Sequence, residues 1–155
     1  MLDKKSRIFV AGAYGFIGYN LTNKLLKEGY KVYGNRFSNK HLKHIHKNYK
    51  ETSFNLEDKA SCIKALKNID VVFMCAAATS GAYDILNNPL YHVTSNIRML
   101  LNLLEASIKQ KIKKFVFIST GCVYPNIKKN KYSENDMLKG NPFDVYYSAG
   151  WTKRY

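Results

Sequence analysis

Ile8-Phe9-Val10-Ala11 runs straight into Gly12-Ala13-Tyr14-Gly15-Phe16-Ile17-Gly18. A short apolar run that follows charged residues reads as a buried strand. From Phe16 to Glu28, the residues Phe16, Ile17, Leu21, Leu25 and Leu26 recur at helical spacing, and Gly29 ends the pattern. Three glycines spaced three apart therefore occupy a strand-to-helix turn, the setting in which such glycines cradle a pyrophosphate. Gly12 permits the tight turn, Gly15 lets the backbone approach the phosphates, and Gly18 lets the helix pack closely on the sheet. The first amides of the helix then point at anionic oxygens. Tyr14, Phe16 and Ile17 share this loop and join the glycines as candidate cofactor contacts.

Outward from the loop, apolar runs alternate with amphipathic ones. Strands are expected at Lys31 to Gly34, Thr52 to Phe54, Val71 to Ala76 and Phe115 to Ile118. Helices are expected at Asn39 to Lys47, at Lys59 to Leu66 and at Asn96 to Lys109. The last of these places Ile97, Leu100, Leu101, Leu104 and Ile108 inward. Tyr124 to Asn141 reads as loop, and a final helix starts near Phe143 to Tyr147 and runs to the chain end. Strand-helix alternation with near-continuous apolar strands means an α/β fold, a doubly wound parallel sheet of Rossmann type. The final amphipathic segment reaches Tyr155 without a cap. The expectation is one dinucleotide-binding domain over residues 1–155, truncated before a C-terminal substrate domain.

The 155 residues are 46% hydrophobic and 14% aromatic, enough for a core and unlike a disordered chain. The longest pure apolar run, Val71 to Ala78, is far shorter than a membrane span. The polar start, Met1 to Arg7, carries no leader pattern, so a cytoplasmic protein is expected. Lys plus Arg number 25 against 11 for Asp plus Glu, a formal net charge of +14. The lysines are spread over the whole chain, which argues against a nucleic-acid stripe and fits a phosphate-bearing ligand as well. Cys62, Cys75 and Cys122 form no CxxC pair and read as free thiols. His41, His44 and His46 lie in a lysine-rich stretch and read as a solvated helix face, so no metal is expected. At the end of the second strand, Asn35-Arg36-Phe37 offers no carboxylate for a ribose hydroxyl. Arg36 is available for a 2′-phosphate, which favours NADP over NAD.

The G-x-x-G-x-x-G spacing resembles the extended short-chain dehydrogenase/reductases, the NAD-dependent epimerase/dehydratase family. The resemblance runs nearly the length of the chain and is nearest its GDP-L-fucose synthase branch. Asn55-Leu56-Glu57-Asp58 resembles the family's Asp-Leu-x-Asp stretch beside the adenine, with Asn55 in place of Asp. Cys75-Ala76-Ala77-Ala78 is similar to the small-residue strand end under the cofactor, and Asn96 to the helix Asn that anchors the active-site region. In Ser119-Thr120-Gly121-Cys122-Val123-Tyr124-Pro125, the resemblance makes Thr120 the hydroxyl at the hydride-transfer carbon. It makes Cys122 an acid/base residue for epimerisation, against the alternative of a small structural residue. Tyr-x-x-x-Lys should follow. Lys153 fits, and by the resemblance it also holds the nicotinamide ribose, but Ala149 stands where the Tyr belongs. Tyr147 is the first choice for the acid and Tyr146 the second.

The resemblance implies hydride transfer at a sugar-ring carbon of a nucleotide sugar, by an epimerase, dehydratase or reductase that is an oxidoreductase or isomerase. It also implies a homodimer built on the helix from Asn96 to Lys109. Ala149 leaves a second reading open, a catalytically inactive dinucleotide-binding module that serves as a sensor or binds a partner.

Overall fold

The computed structural model describes residues 2–37, 42–79, 83, 87–126 and 131–154. They form two compact units: one of residues 1–77 and 98–118, the other of 78–97 and 119–155.

The first unit is a parallel sheet. Its strands are β1 (Arg7–Ala11), β2 (Lys31–Asn35), β3 (Tyr49–Thr52), β4 (Val71–Met74) and β5 (Lys114–Phe117). They lie in the order β3-β2-β1-β4-β5, all neighbours parallel. The strand order reverses between β1 and β4, and in such sheets the crevice beyond the carboxyl ends of the strands at that point takes the ligand. The period-two alternation of β1 splits the core. Phe9 and Ala11 face a cluster with Leu56, Cys62, Leu66, Met74, Leu103 and Ala106. Ile8 and Val10 face the opposite cluster, with Leu25, Leu26, Tyr30 and Val32. Both faces of the sheet are thus covered, as the near-continuous apolar strands require.

Three helices contribute: α1 (Phe16–Lys27), α2 (Lys59–Ala65) and α3 (Pro89–Lys109), whose residues from Arg98 on belong to this unit. α1 buries Gly18, Thr22, Leu25 and Leu26. It stops where Gly29 turns left-handed at φ 86°, with the Tyr30 amide donating to the Leu25 carbonyl at 3.1 Å. Asp58 caps α2 by accepting from the Ser61 amide at 2.7 Å.

The second unit holds α3 from Pro89 to Ile97, short 3-10 turns at Gly121–Val123, Glu134–Asp136 and Asp144–Tyr146, and α4 (Tyr147–Arg154). Gly150 brings α4 close to the first turn. A Cβ there would lie 2.5 Å from the Cys122 carbonyl and 2.4 Å from Pro142. Arg154 finishes the join, donating to the Val123 carbonyl through Nε at 2.8 Å and Nη2 at 2.6 Å.

Several sequence expectations change. The third strand is Tyr49–Thr52, earlier than Thr52 to Phe54, because its pairing with β2 begins at Val32↔Tyr49. The described part of the expected helix at Asn39 to Lys47 is irregular up to a turn at Lys47, while residues 39–41 lie outside the described residues. α3 begins at Pro89 rather than Asn96, as a proline at a first helical position allows. The face of α3 is also rotated. Leu103, Ala106 and Ser107 are buried, while Leu101, Leu104 and Ile108 are exposed. In α1, Phe16 and Ile17 point outward, at 88% and 50% exposure.

Candidate dinucleotide-binding site

The glycine loop separates its three glycines by physical demand. Gly12 has φ 76°, and a Cβ on it would meet the Ala76 backbone at 2.7 Å. The turn therefore needs glycine both for its dihedral and for its contact with the chain beyond β4. A Cβ on Gly18 would stand 2.1 Å from the Gly12 carbonyl oxygen, so the helix sits directly on the turn. Gly15 differs. Its φ is −78°, it is exposed, and its nearest Cβ neighbour within the chain would be the Gly12 oxygen at an ordinary 3.4 Å. Among the described residues nothing demands a glycine there, and the position is open to close approach from outside. Gly15 is also the N-cap of α1 and has no side chain to satisfy the first amides, and the first turn carries no carboxylate. Amides and dipole together favour an anion.

Beyond the strand ends, a polar cluster builds on this loop. Tyr14 is buried, and its hydroxyl donates to Glu51 of β3. The Tyr49 hydroxyl donates to that of Tyr14 at 2.9 Å. Burial, above all, pushes both phenols above their ordinary range. Arg36 lies over the Tyr14 ring with its guanidinium carbon 3.8 Å from the centroid. Its Nη2 donates to Glu51 at 2.8 Å and to the Leu42 carbonyl at 3.0 Å. The Arg36 guanidinium first, and the Tyr14 hydroxyl second, hold the Glu51 carboxyl below the usual carboxylate range. Arg36 is therefore engaged by a carboxylate and an aromatic face, not simply solvated.

His44 also departs from expectation. It stacks on Tyr19 at 4.6 Å and lies 5.0 Å from Tyr14 and 4.7 Å from Tyr49. Its Nε2 is 3.0 Å from the Ala13 carbonyl and its Nδ1 3.0 Å from Asn23 Oδ1. The half-buried ring braces the glycine loop instead of lying on a solvated face. His46 is exposed, and His41 lies outside the described residues. Among the described residues no three His, Cys, Asp or Glu side chains gather as metal ligands.

Asn55 is exposed, and its Oδ1 accepts from the Glu57 amide at 3.0 Å, a local turn. Leu56 is buried, and its carbonyl accepts from Asn102 at 3.1 Å. Ala76 backs Gly12 and Ala77 is exposed. Cys62 is buried, which pushes its thiol up to about 11.

In the second unit, Asn96 pairs with the Ala78 backbone like a strand partner. Its Oδ1 accepts from the Ala78 amide at 2.8 Å and its Nδ2 donates to the carbonyl at 3.0 Å. His92, one helical turn earlier and buried, lies 2.9 Å from the same carbonyl through Nδ1. Thr120 caps the Gly121–Val123 turn and accepts from the Cys122 amide at 3.4 Å. Cys122 is half-buried. α4 begins at Tyr147, which packs edge-on to Trp151 at 6.4 Å, and Tyr146 closes the preceding 3-10 turn. Gly150 leaves α4 continuous rather than distorting it. Tyr147 and Lys153 are thus ends of one helix, about 9 Å apart along its axis.

The sequence profile of the NAD dependent epimerase/dehydratase family matches residues 8–149, from β1 into α4. The chain belongs to that family. Among curated relatives, GDP-mannose 3,5-epimerase 1 of Oryza sativa subsp. indica is 29% identical over 151 residues, covering 93% of this chain and 39% of its own length. GDP-L-fucose synthase 1 of Arabidopsis thaliana is 23% identical over 150 residues, covering 96% and 43%. Among solved structures, a GDP-mannoheptose C4 reductase of Campylobacter jejuni with NADP bound superposes with a TM-score of 0.80 at 23% identity, covering 99% of this chain and 45% of that one. The chain spans less than half the length of the relatives it matches. Members of this family are NAD(P)-dependent nucleotide-sugar epimerases, dehydratases and reductases.

Residues that the sequence did not mark as part of the site complete it. Glu51 and His44 reach the glycine loop from β3 and from the segment before it. Asn35 is buried, and its side chain pairs with both backbone groups of Phe54, at 2.8 and 3.1 Å. His92 carried a faint signal, lying four before Asn96 on one helix face.

Proposed function

We propose that this chain binds NADP(H), in preference to NAD(H), as part of a nucleotide-sugar epimerase or reductase. The observation that carries the reading is Gly15, a glycine on a helix N-terminus that nothing among the described residues requires. Gly12, Tyr14, Gly15, Phe16, Ile17 and Gly18 would hold the pyrophosphate side of the dinucleotide. Arg36 would take the 2′-phosphate, Asn55 and Leu56 would flank the adenine, and Ala76, Ala77 and Ala78 would underlie the rest. Asn96 fixes Ala78, and Lys153 would hold the nicotinamide ribose.

A nicotinamide held there would supply or take the hydride at a sugar-ring carbon. The Thr120 hydroxyl hydrogen-bonds the oxygen on that carbon, and the phenol of Tyr147, or second of Tyr146, moves the proton at that oxygen. Cys122 serves as the acid/base at the neighbouring carbon if the reaction epimerises, in the manner of a GDP-L-fucose synthase. The relatives named above are enzymes, which weighs against a non-catalytic module. The exposed Leu101, Leu104 and Ile108 stripe of α3 supports a homodimer, and the reading places the protein in the cytoplasm. Among the described residues no helix is long and apolar enough to cross a membrane.

Calorimetric titration of the chain with NADPH and NADH tests the proposal. Both should bind, NADPH more tightly, and Arg36→Glu should invert the order. A folded chain that binds neither refutes it. Turnover of any nucleotide sugar by this chain should be slow, since a well-placed acid/base contributes about 10²- to 10⁴-fold and Ala149 occupies the expected place.

A further inference from the structure

We infer that Glu51 is a selectivity residue: it shares the guanidinium of Arg36 and so weakens the preference for a 2′-phosphorylated dinucleotide. The inference rests on the proposed binding of dinucleotide at the glycine loop. In sequence, Glu51 is fifteen positions from Arg36 and belongs to no motif. The sheet brings them together. β3 pairs with β2 in the register Gly34↔Glu51 and Asn35↔Thr52. The carboxylate thus reaches the end of β2, where the sequence itself supplies none.

Arg36 is held there from several sides. Its side chain is only 18% exposed, against 47% for Glu51. Both Nη2 hydrogens are committed, one to Glu51 and one to the Leu42 carbonyl. The guanidinium carbon lies 3.8 Å from the centroid of the Tyr14 ring, and the Tyr14 hydroxyl donates to the same Glu51 oxygen as Arg36 does. Glu51 therefore acts in two opposed ways. As an acceptor it fixes the guanidinium beside the loop, and a pre-set fork binds phosphate better. As an anion it cancels the charge that a 2′-phosphate would meet, and it repels that phosphate directly. The phosphate carries about −1.5 to −2 charge at neutral pH. The direct repulsion at roughly 6 Å, even at the dielectric constant of water, is worth about a tenfold change in affinity. The carboxylate's opposition outweighs its help, because the Tyr14 ring and the Leu42 carbonyl keep Arg36 in place without it.

Glu51→Gln separates the two roles, since the amide keeps size and acceptor while losing the charge. Dissociation constants for NADPH and NADH, measured by calorimetry on wild type, E51Q and E51A, give the test. E51Q should tighten NADPH about tenfold and leave NADH within about twofold, and the gain should shrink as salt rises. An unchanged NADPH:NADH ratio in E51Q overturns the inference, as does weaker NADPH binding in E51Q, which would make Glu51 a prop alone. If E51A loses NADPH affinity while E51Q gains it, both roles are real and the charge term stands. Wild type binding neither dinucleotide is a separate failure, of the dinucleotide reading itself, and the inference falls with it.

Discussion

Gly18→Ala and Gly15→Ala set two effects of one methyl group against each other. In a helix interior, alanine in place of glycine gains about 1 kcal/mol. At Gly18 the added Cβ would lie 2.1 Å from the Gly12 oxygen and 2.8 Å from its carbonyl carbon. The turn has little room to retreat, because Gly12 lies so near the Ala76 backbone that a Cβ on it would come within 2.7 Å. The helix must then lift by more than an ångström, emptying contacts of Leu25 and Leu26 with the sheet. Overpacking costs about 1–3 kcal/mol, and backbone-on-backbone contact puts this site at or above the upper end. The net loss is about 2 kcal/mol after the propensity gain, or a fall of roughly 4–8 °C in Tm for a chain of this size. Gly15→Ala meets only an ordinary 3.4 Å contact, with φ at −78°. Its stability should stay within about 0.5 kcal/mol, while affinity for NADPH falls at least about tenfold as the methyl enters the space of the phosphates. Thermal unfolding and calorimetric titration of both variants read the two effects. A Gly18→Ala protein that melts with wild type, or a Gly15→Ala protein that keeps its affinity, refutes the division of labour.

Asp70 accepts from the Arg7 amide at 2.9 Å and pairs with Lys113 at 3.1 Å. The Arg7 amide, above all, holds its carboxyl below the ordinary range. A depressed carboxylate stabilises the fold above its unfolded pKa and stops doing so as pH falls through the folded value. Asp70→Asn should therefore cost about 1–2 kcal/mol at neutral pH, and the gap should close in urea melts below about pH 4; a gap constant with pH counts against it. Cys62 is buried with its thiol pushed up to about 11, so a maleimide at pH 8 should label Cys75 and Cys122 and spare Cys62 until denaturant is added. Rapid labelling of all three in the folded chain, read by peptide mass, contradicts the burial. Gly150→Ala would press a methyl on the Cys122 carbonyl at 2.5 Å and on Pro142 at 2.4 Å. It should destabilise by about 1–3 kcal/mol and loosen the Thr120–Val123 turn, seen as faster amide exchange at Val123.

The glycine loop was legible in the sequence because its demands are local. A left-handed φ at Gly12 and a helix seated on the turn at Gly18 follow from spacing and from the apolar strand before them. The β1 strand and the α1 helix were legible for the same reason, since a period of two or of 3.6 is written within a dozen residues. The inward face of α3 was not. That helix carries apolar residues on two faces, and periodicity counts them without telling which face meets the sheet. Leu103 and Ala106 went inside, while Leu101, Leu104 and Ile108 stayed out. The edge strand β3 was misplaced because three of the four residues of Tyr49–Thr52 are polar, and its position is set by hydrogen bonds to β2, not by its own pattern. The same pairing decided the charge at the site. Arg36 is visible at the end of β2, but its partner Glu51 arrives from a strand fifteen residues away. His44 enters the aromatic cluster by a path that no helical spacing describes. Local dihedrals and periods belong to the sequence. Which charges face each other, and which of two apolar faces is covered, depends on non-local pairing that only the folded sheet supplies.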